Sequence, residues 1–224
     1  MEPPGWLTRF AADVAPGDGW LSARERAVQA GLRLEKRRAD WRLGRWTAKH
    51  AVAMWFGVAP ERVEVLAAAD GAPEAWIDGM PAPASLSLSH RGGLALAAVT
   101  AVPHRIGCDL ELVEPRSGPF VREWMTPAEQ EALGRMGPRE RDAAANLYWT
   151  AKEAAAKVRR EGLRLDVRRA RVELGATGGA WAPLVVVWDD GPATGGWWRA
   201  ADGWTMTIAG SPAPAVPSSL TSGS

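Results

Sequence analysis

Four side chains in two short stretches have the types and spacing that handle phosphate chemistry. In Asn146–Gly162, NLYWTAKEAAAKVRREG, Glu153 and Lys157 are four residues apart. On a helix they share one face, about one turn from each other. In Arg105–Glu111, RIGCDLE, Asp109 and Glu111 are two apart. On a strand both carboxylates then point to the same side. Three carboxylates and an ammonium that converge suit a divalent cation holding a phosphate. Magnesium takes such oxygen ligands in small number and lets substrate phosphate complete its shell. Each pattern by itself also fits a solvent-facing strand or a surface charge pair on a helix.

The elements that must position these groups are readable from periodicity. Ser85–His90, SLSLSH, alternates with period two, placing Leu86 and Leu88 on one face and Ser87 and Ser89 on the other. Arg91-Gly92-Gly93 turns the chain, Leu94–Val99 is a buried strand, and Val102-Pro103-His104 leads into Ile106–Leu112. Residues 85–112 thus form a meander that brings SxSH close to DxE. His90 taken alone reads as a satisfied turn histidine. Cys108 falls on the strand face opposite Asp109, as a small buried thiol. Being the one cysteine, it excludes a disulfide framework and any multi-cysteine metal site.

Arg139–Arg160 is a long helix with Gly162 as its C′ residue. Thr126-Pro127-Ala128-Glu129 starts a shorter one running to about Met136, and Ser22-Ala-Arg-Glu25 opens another with capping-box spacing. A further helix spans Glu35–Phe56. Its Arg38, Arg42, Arg45 and Lys49 fall within about 60° of one another, beside an inward stripe of Trp41, Ala48, Val52 and Trp55. Residues 22–50 hold nine Lys/Arg against Glu25, Glu35 and Asp40, a local excess that fits either a solvated helix face or an anion site. Strands are expected at Val63–Ala67, Trp76–Ile77, Ala170–Leu174, Leu184–Trp188, Trp197–Ala200 and Trp204–Ala209, the last four as an antiparallel sheet. The first twenty residues read as irregular or edge strand. The Pro/Ser/Ala-rich Ser211–Ser224 reads as a disordered tail. Two halves, 1–104 and 105–210, each show helix followed by strands, which suggests pseudo-symmetry without a visible sequence repeat.

A net charge of +1 argues for neither nucleic acid nor an anionic membrane, and the basic stripe lacks the interleaved aromatics of a nucleic-acid site, so neither partner is expected. The N-terminus, MEPPGWLTRF, has no secretory pattern, and no apolar run is long enough to span a bilayer. A soluble, cytoplasmic, monomeric protein is expected. Only four of the 27 basic residues are lysines, so Lys152 and Lys157 stand out beside Lys36 and Lys49.

Taken in order, the basic helix, SxSH, GxDxE and WxxKExxxK, spread over residues 38–157, resemble the surfactin-type 4′-phosphopantetheinyl transferases. The resemblance implies an α+β pseudo-dimer of two similar α/β subdomains, each a helix on a mostly antiparallel sheet, with coenzyme A in the cleft between them. It implies transfer of the phosphopantetheine arm of coenzyme A to a serine of an acyl or peptidyl carrier protein, releasing adenosine 3′,5′-bisphosphate, as in secondary metabolite biosynthesis. Asp109, Glu111 and Glu153 match the family's magnesium ligands, and manganese accepts the same oxygen set. Lys157 matches a lysine that neutralises the pyrophosphate. Glu153, or a metal-bound water it orients, would be the base. Ser89 and His90 match residues that touch coenzyme A phosphates. Arg38, Arg42, Arg45 and Lys49 are candidates for the nucleotide phosphates, and Lys152 joins them as a coenzyme A contact.

One departure is Gly71-Ala72-Pro73, where the family often has glycine-lysine-proline. Arg62 or Arg91 would have to supply the missing cation. Phe120, Trp124 and Met125 would dock the carrier if exposed, and Trp149 would cover the metal or pack in the core. A non-catalytic coenzyme A-binding protein on the same fold is the competing reading.

Overall fold

The computed structural model describes residues 2–161, 165–176 and 179–220, and the chain runs twice through one pattern. The first pass comprises β1 (Gly5–Phe10), α1 (Ala23–Ala30), α2 (Glu35–Phe56), β2 (Val63–Ala67), β3 (Pro73–Ile77), β4 (Met80–Pro81), β5 (Ala84–Arg91) and β6 (Leu94–Ala101). The second comprises β7 (Arg105–Leu112), α3 (Gly118–Trp124), α4 (Pro127–Gly134), α5 (Pro138–Arg159), β8 (Ala170–Leu174), β9 (Ala182–Trp188), β10 (Thr194–Ala201) and β11 (Trp204–Ser211). A short β12 (Ser218–Ser219) follows. The α+β class and the mostly antiparallel pairing agree with the sequence.

The repeat extends to individual residues. Ser22 and Thr126 cap α1 and α4, and each accepts from the N–H of the glutamate three residues on. Both glutamates, Glu25 and Glu129, are buried. Glu25 Oε2 accepts from Lys49 of α2 at 2.8 Å, while its Oε1 accepts from Val65 N–H in β2 at 2.9 Å. Glu129 Oε2 accepts from Lys152 of α5 at 2.6 Å, and its Oε1 accepts from Val172 N–H in β8 at 3.0 Å. A buried carboxylate thus ties a short helix, a long helix and a strand together in each half. Every charge is paired, as low-dielectric burial demands.

The sheets differ in one respect. The second half is continuous, with strand order β7-β11-β10-β9-β8. The matching order in the first half would be β1-β6-β5-β3-β2, but it splits into β12-β1-β6-β5 and β2-β3-β4. The gap between β5 and β3 is where a cavity opens.

The two halves meet edge to edge along β5 and β7. These strands exchange no ladder. Instead Ser85, Ser87 and Ser89 Oγ accept from the N–H groups of Ile106, Cys108 and Leu110 at 3.3, 2.9 and 3.3 Å. The alternating serines therefore satisfy an otherwise bare strand edge. SxSH and DxE are close, as the meander predicts, but across a seam between sheets.

Several expectations change or sharpen. β1 is regular strand along its length against β6, and β12 covers its other side at Gly5 and Trp6 alone, so Leu7–Phe10 remain an edge as expected. The segment from Ser211, expected to be disordered, supplies β12, which pairs in parallel with Gly5 and Trp6. Residues 221–224 lie outside the described residues, as does the expected helix terminator Gly162; Arg160 caps α5 instead, in the left-handed region. Met125 is 2% exposed and belongs to the core beneath α5, so it is no docking residue. Phe120 and Trp124 flank Trp149 with ring centroids 5.3 and 5.4 Å away, which assigns Trp149 to packing rather than to a metal.

Cys108 is fully buried, and burial pushes its thiol up to about 11. Its pKa is raised above the value of about 8.5 for a free thiol, so its stabilising contribution is intact below that value and is lost as pH rises toward 11. The expected result is that Cys108 resists iodoacetamide at pH 8.5 in the native protein and reacts in urea, read by peptide mass. Rapid native alkylation would show that β7 opens locally.

Candidate active site

α5 lies across β7 and β11 because the strand presents no side chain where the helix passes. A Cβ added at Gly107 would sit 2.0 Å from Ala154 O and 2.9 Å from Val158 N. The helix side of the crossing is alanine-rich, with Ala151, Ala154 and Ala155 all 0% exposed, so backbones approach closely. Thr150 and Thr207 hydroxyls bond at 3.1 Å across the same interface. Gly107→Ala is therefore expected to cost about 3 kcal/mol, the upper range of overpacking, and to displace α5 from β7. A urea midpoint unchanged from the wild type would contradict that close approach.

The crossing sets Asp109 and Glu111 of β7 opposite Glu153 and Lys157 of α5. Asp109 Oδ1 accepts from Lys157 Nζ at 2.8 Å and from Ser89 Oγ at 2.8 Å. Its Oδ2 is buried with no partner. Lys157 also donates to Cys108 O at 2.9 Å. Burial pulls the Lys157 ammonium down, but Asp109, Cys108 and Glu153 together outweigh it and the net shift is upward. Burial, then the charge of Asp109, raises the Glu153 carboxyl above the usual range. Burial also raises Glu111, against the opposing pull of Arg116.

The three carboxylates feel one another without converging. Among the described residues no three His, Cys, Asp or Glu side chains come together closely enough to hold a metal ion. The physical reason is charge: each acid that can reach a cation has turned to it. Asp109 takes Lys157. Glu111 Oε2 lies 3.0 Å from Arg116 Nη2 and 3.4 Å from Arg91 Nε. The Arg116 contact is ionic and lacks hydrogen-bond geometry. Arg116 is a site residue that spacing could not reveal, because it sits in an irregular loop and is fixed by Asn146 Oδ1 at 2.7 Å from α5.

The basic stripe of α2 does not face this centre. Lys36, Asp40 and Gly44 form the face next to His90, whose Cδ2 lies 4.0 Å from a Cβ built at Gly44. Arg38, Arg42, Arg45 and Lys49 lie about 170° away around the helix. Arg38 donates to Leu32 O at 2.9 Å. Arg42 donates to Ala15 O and Gly17 O at 3.0 and 2.7 Å and pairs with Asp18. Arg45 stacks over Trp41 at 4.9 Å, and burial lowers its pKa. Lys49 is consumed by Glu25, and Lys152 by Glu129 and Trp124 O. Lys49 and Lys152 are thus structural cations, 2% and 0% exposed, rather than coenzyme A contacts. The helical period finds such a stripe but not the side on which a ligand lies.

Ser89 is at the centre, yet its hydroxyl is engaged by Asp109 and Leu110, so it orients a carboxylate and joins the halves. His90 is exposed on the rim. Partial desolvation lowers its pKa, with Asp40 opposing the shift and Lys157 and Lys36 adding to it. Of the proposed substitutes for the absent lysine, Arg62 pairs with Asp78, and Arg91 pairs with Glu114 and faces Glu111.

A cavity of about 740 Å³ opens beside Lys157, in the gap between β3 and β5. Its walls are the turn Asp70–Trp76, Ser85–Leu88 of β5, His104–Ile106, and Lys157, Val158 and Arg160 at the end of α5. That volume is within the range of cofactor-sized sites. The cavity therefore joins both halves, with Lys157 shared between it and Asp109.

The chain is 27% identical over 178 residues to the 4′-phosphopantetheinyl transferase HetI of Nostoc sp. (strain PCC 7120), covering 76% of this chain and 75% of that protein. The model of the 4′-phosphopantetheinyl transferase superfamily matches residues 105–208, from the first residue of β7 into β11. The half that carries Asp109, Glu111, Glu153 and Lys157 is thus similar to that superfamily, a broader grouping than the surfactin-type resemblance.

Proposed function

We propose that the protein transfers the 4′-phosphopantetheine arm of coenzyme A to a serine hydroxyl of an acyl or peptidyl carrier protein. The observation that carries this reading is the grouping of Asp109, Glu111 and Glu153 around Lys157, which bonds Asp109 and also lines a cavity shared by both halves. The serine oxygen attacks the phosphorus that bears the pantetheine arm, and the pyrophosphate P–O bond breaks. Adenosine 3′,5′-bisphosphate leaves with the bond's electron pair, and the serine proton passes to a base.

Such a reaction needs alignment and charge neutralisation more than covalent help. Lys157, held beside Asp109, lies where charge builds on the leaving phosphate. Glu153 is the base in this reading: its raised pKa brings a carboxylate nearer the range in which it accepts a proton effectively at neutral pH. Ser89 keeps Asp109 oriented. His90, on the rim, is within reach of a phosphate entering between α2 and β5.

The donor set fits magnesium in kind, being all carboxylate oxygen, and the buried, unpartnered Asp109 Oδ2 is a ligand atom in waiting. Asp109, Glu111 and Glu153 would hold the ion, with manganese acceptable to the same oxygens. Bound there, it would supply a Lewis acid that neutralises the pyrophosphate. Arg116 competes for Glu111, which favours the second reading of a coenzyme A-binding protein without transfer activity.

The proposed partner is a carrier protein with an acidic surface, met by a monomer in the cytoplasm. Among the described residues no helix is long and apolar enough to cross a membrane. The deciding experiment incubates apo acyl and peptidyl carriers with the protein, coenzyme A and magnesium, with and without chelator, and weighs the intact carrier. A gain of one phosphopantetheine, abolished by chelator, is expected. No gain on any carrier, with coenzyme A still bound, would leave the binding-protein reading in its place.

A further inference from the structure

The two halves share an aromatic cluster and complete it differently. The spacing that pairs Lys49 with Lys152 also pairs Trp46 with Trp149 and His50 with Glu153, and the spacing that pairs Ser22 with Thr126 pairs Trp20 with Trp124. The folded chain keeps these pairings. Trp20 meets Trp46 edge to face with ring centroids 5.0 Å apart, as Trp124 meets Trp149 at 5.4 Å. The residues that follow, Leu21 and Met125, are both 2% exposed. Before the tryptophans the halves part. In the second, α3 carries Phe120 one turn ahead of Trp124 and sets its ring 5.3 Å from that of Trp149. In the first, residues 14–20 are bends and turns, and Pro16 stands where the same spacing places Phe120.

A cavity of about 170 Å³ lies there, walled by Ala15, Trp20, Trp46 and His50. It shares no lining residue with the larger cavity at Lys157. Trp46 is about 200° around α2 from Gly44, so this space is on the side of the helix away from His90. An apolar cavity of about 150 Å³ takes one benzene ring, so the space is ring-sized. Its two lining charges, Lys49 and Glu61, are of opposite sign, which favours a neutral occupant. His50 Nδ1 donates to Trp46 O at 2.8 Å, leaving Nε2 a bare acceptor in the neutral ring. Burial lowers the His50 pKa, with the Trp46 carbonyl opposing the shift, so the neutral ring prevails at neutral pH. Trp20 Nε1–H is buried and donates to no described residue.

We propose that this cavity binds a free phenol, a single neutral aromatic ring bearing one hydroxyl. The ring takes the place beside Trp46 that Phe120 takes beside Trp149, in the edge or offset contact aromatic pairs prefer. A hydroxyl donates and accepts at once. It therefore serves His50 Nε2 and Trp20 Nε1–H together, which a hydrocarbon ring does not. The second half needs no such ligand, because its own chain supplies the ring. The site is independent of the coenzyme A reading and stands or falls without it.

Phenol is titrated into protein isotope-labelled at its tryptophan indoles, with the magnetic-resonance peaks assigned through single Trp→Phe variants. The Trp20 and Trp46 peaks should move saturably, with a dissociation constant of about 1 mM, while those of Trp76 and Trp149 stay. Benzene, which lacks the hydroxyl, should bind about 10-fold more weakly. Ala15→Phe supplies a ring from the cavity wall and should abolish the shifts. His50→Leu should weaken phenol about 10-fold and leave benzene as before, and it decides alone if Ala15→Phe does not fold. N-acetyltyrosinamide, the same ring on a peptide backbone, should not enter. The assignment is overturned by the absence of saturable shifts, by shifts centred on Trp76 in the larger cavity, or by shifts that survive Ala15→Phe. Benzene binding as tightly as phenol, or phenol binding unchanged in His50→Leu, overturns it too. Entry of N-acetyltyrosinamide as tight as that of phenol would replace the free phenol by a partner's tyrosine.

Discussion

Glu153→Gln is expected to lower transfer by about 100- to 1000-fold and to leave the protein at least as stable as the wild type. The activity loss follows from its proposed role, since glutamine keeps the shape of the side chain and cannot accept the serine proton. The stability result follows from crowding. Burial and the neighbouring charges of Asp109 and Glu111 oppose ionisation of Glu153 against the favourable pull of Lys157, so its charged form is held at a cost to the fold. A neutral amide relieves it, the usual direction when an active-site group is removed. Turnover of the carrier by mass spectrometry and a urea melt of the same sample read both effects. Wild-type turnover would remove Glu153 from the mechanism. A large drop in stability would show that its carboxylate is structurally paired.

Lys152→Met carries the largest expected cost in stability, about 3–5 kcal/mol, because it strands Glu129 as an unpaired buried charge. Lys49→Met should do the same to Glu25 through the equivalent contact in the other half. Restoring neutrality by removing the glutamate as well recovers only part of the loss. Glu129 also satisfies the N–H groups of Thr126 and Val172, and those would be left bare. Arg38→Ala, on an exposed side chain of the same basic helix, should change stability by no more than about 0.5 kcal/mol. Chemical denaturation separates the three. If Lys49→Met or Lys152→Met kept full stability and weakened coenzyme A binding instead, the ligand role read from the sequence would return.

These two lysines show where the sequence stops being informative. The capping glutamates are legible, since Ser22-x-x-Glu25 and Thr126-x-x-Glu129 are local patterns. Their partners are not. Lys49 and Lys152 reach those glutamates from helices more than twenty residues further on, and a buried tertiary pair leaves no period in the chain. Asp109, Glu111, Glu153 and Lys157 were legible as a group because strand and helix geometry fix which residues share a face. Their mutual distance was not, since it depends on how Arg116 and Lys157 draw the carboxylates apart. The α2 stripe is legible only in part for a related reason. Helical periodicity clusters Arg38, Arg42, Arg45 and Lys49 correctly, but which neighbour they meet depends on the loop at residues 15–18. Met125 stays open between docking and core in the sequence, because hydrophobic type does not tell a docking residue from a core one.

β12 bears on how the chain reaches this fold during synthesis. Gly5 admits Leu220 against the first strand, where a Cβ would meet the leucine side chain at 2.8 Å. The strand that pairs with Gly5 and Trp6 of β1 emerges roughly two hundred residues after β1 itself. Until then that end of β1 on the ribosome is a naked pairing edge, the kind of template that recruits neighbouring chains. Translation order therefore makes completion of the first half wait on the second, and a nascent polypeptide halted at the midpoint would be the species most in need of a chaperone.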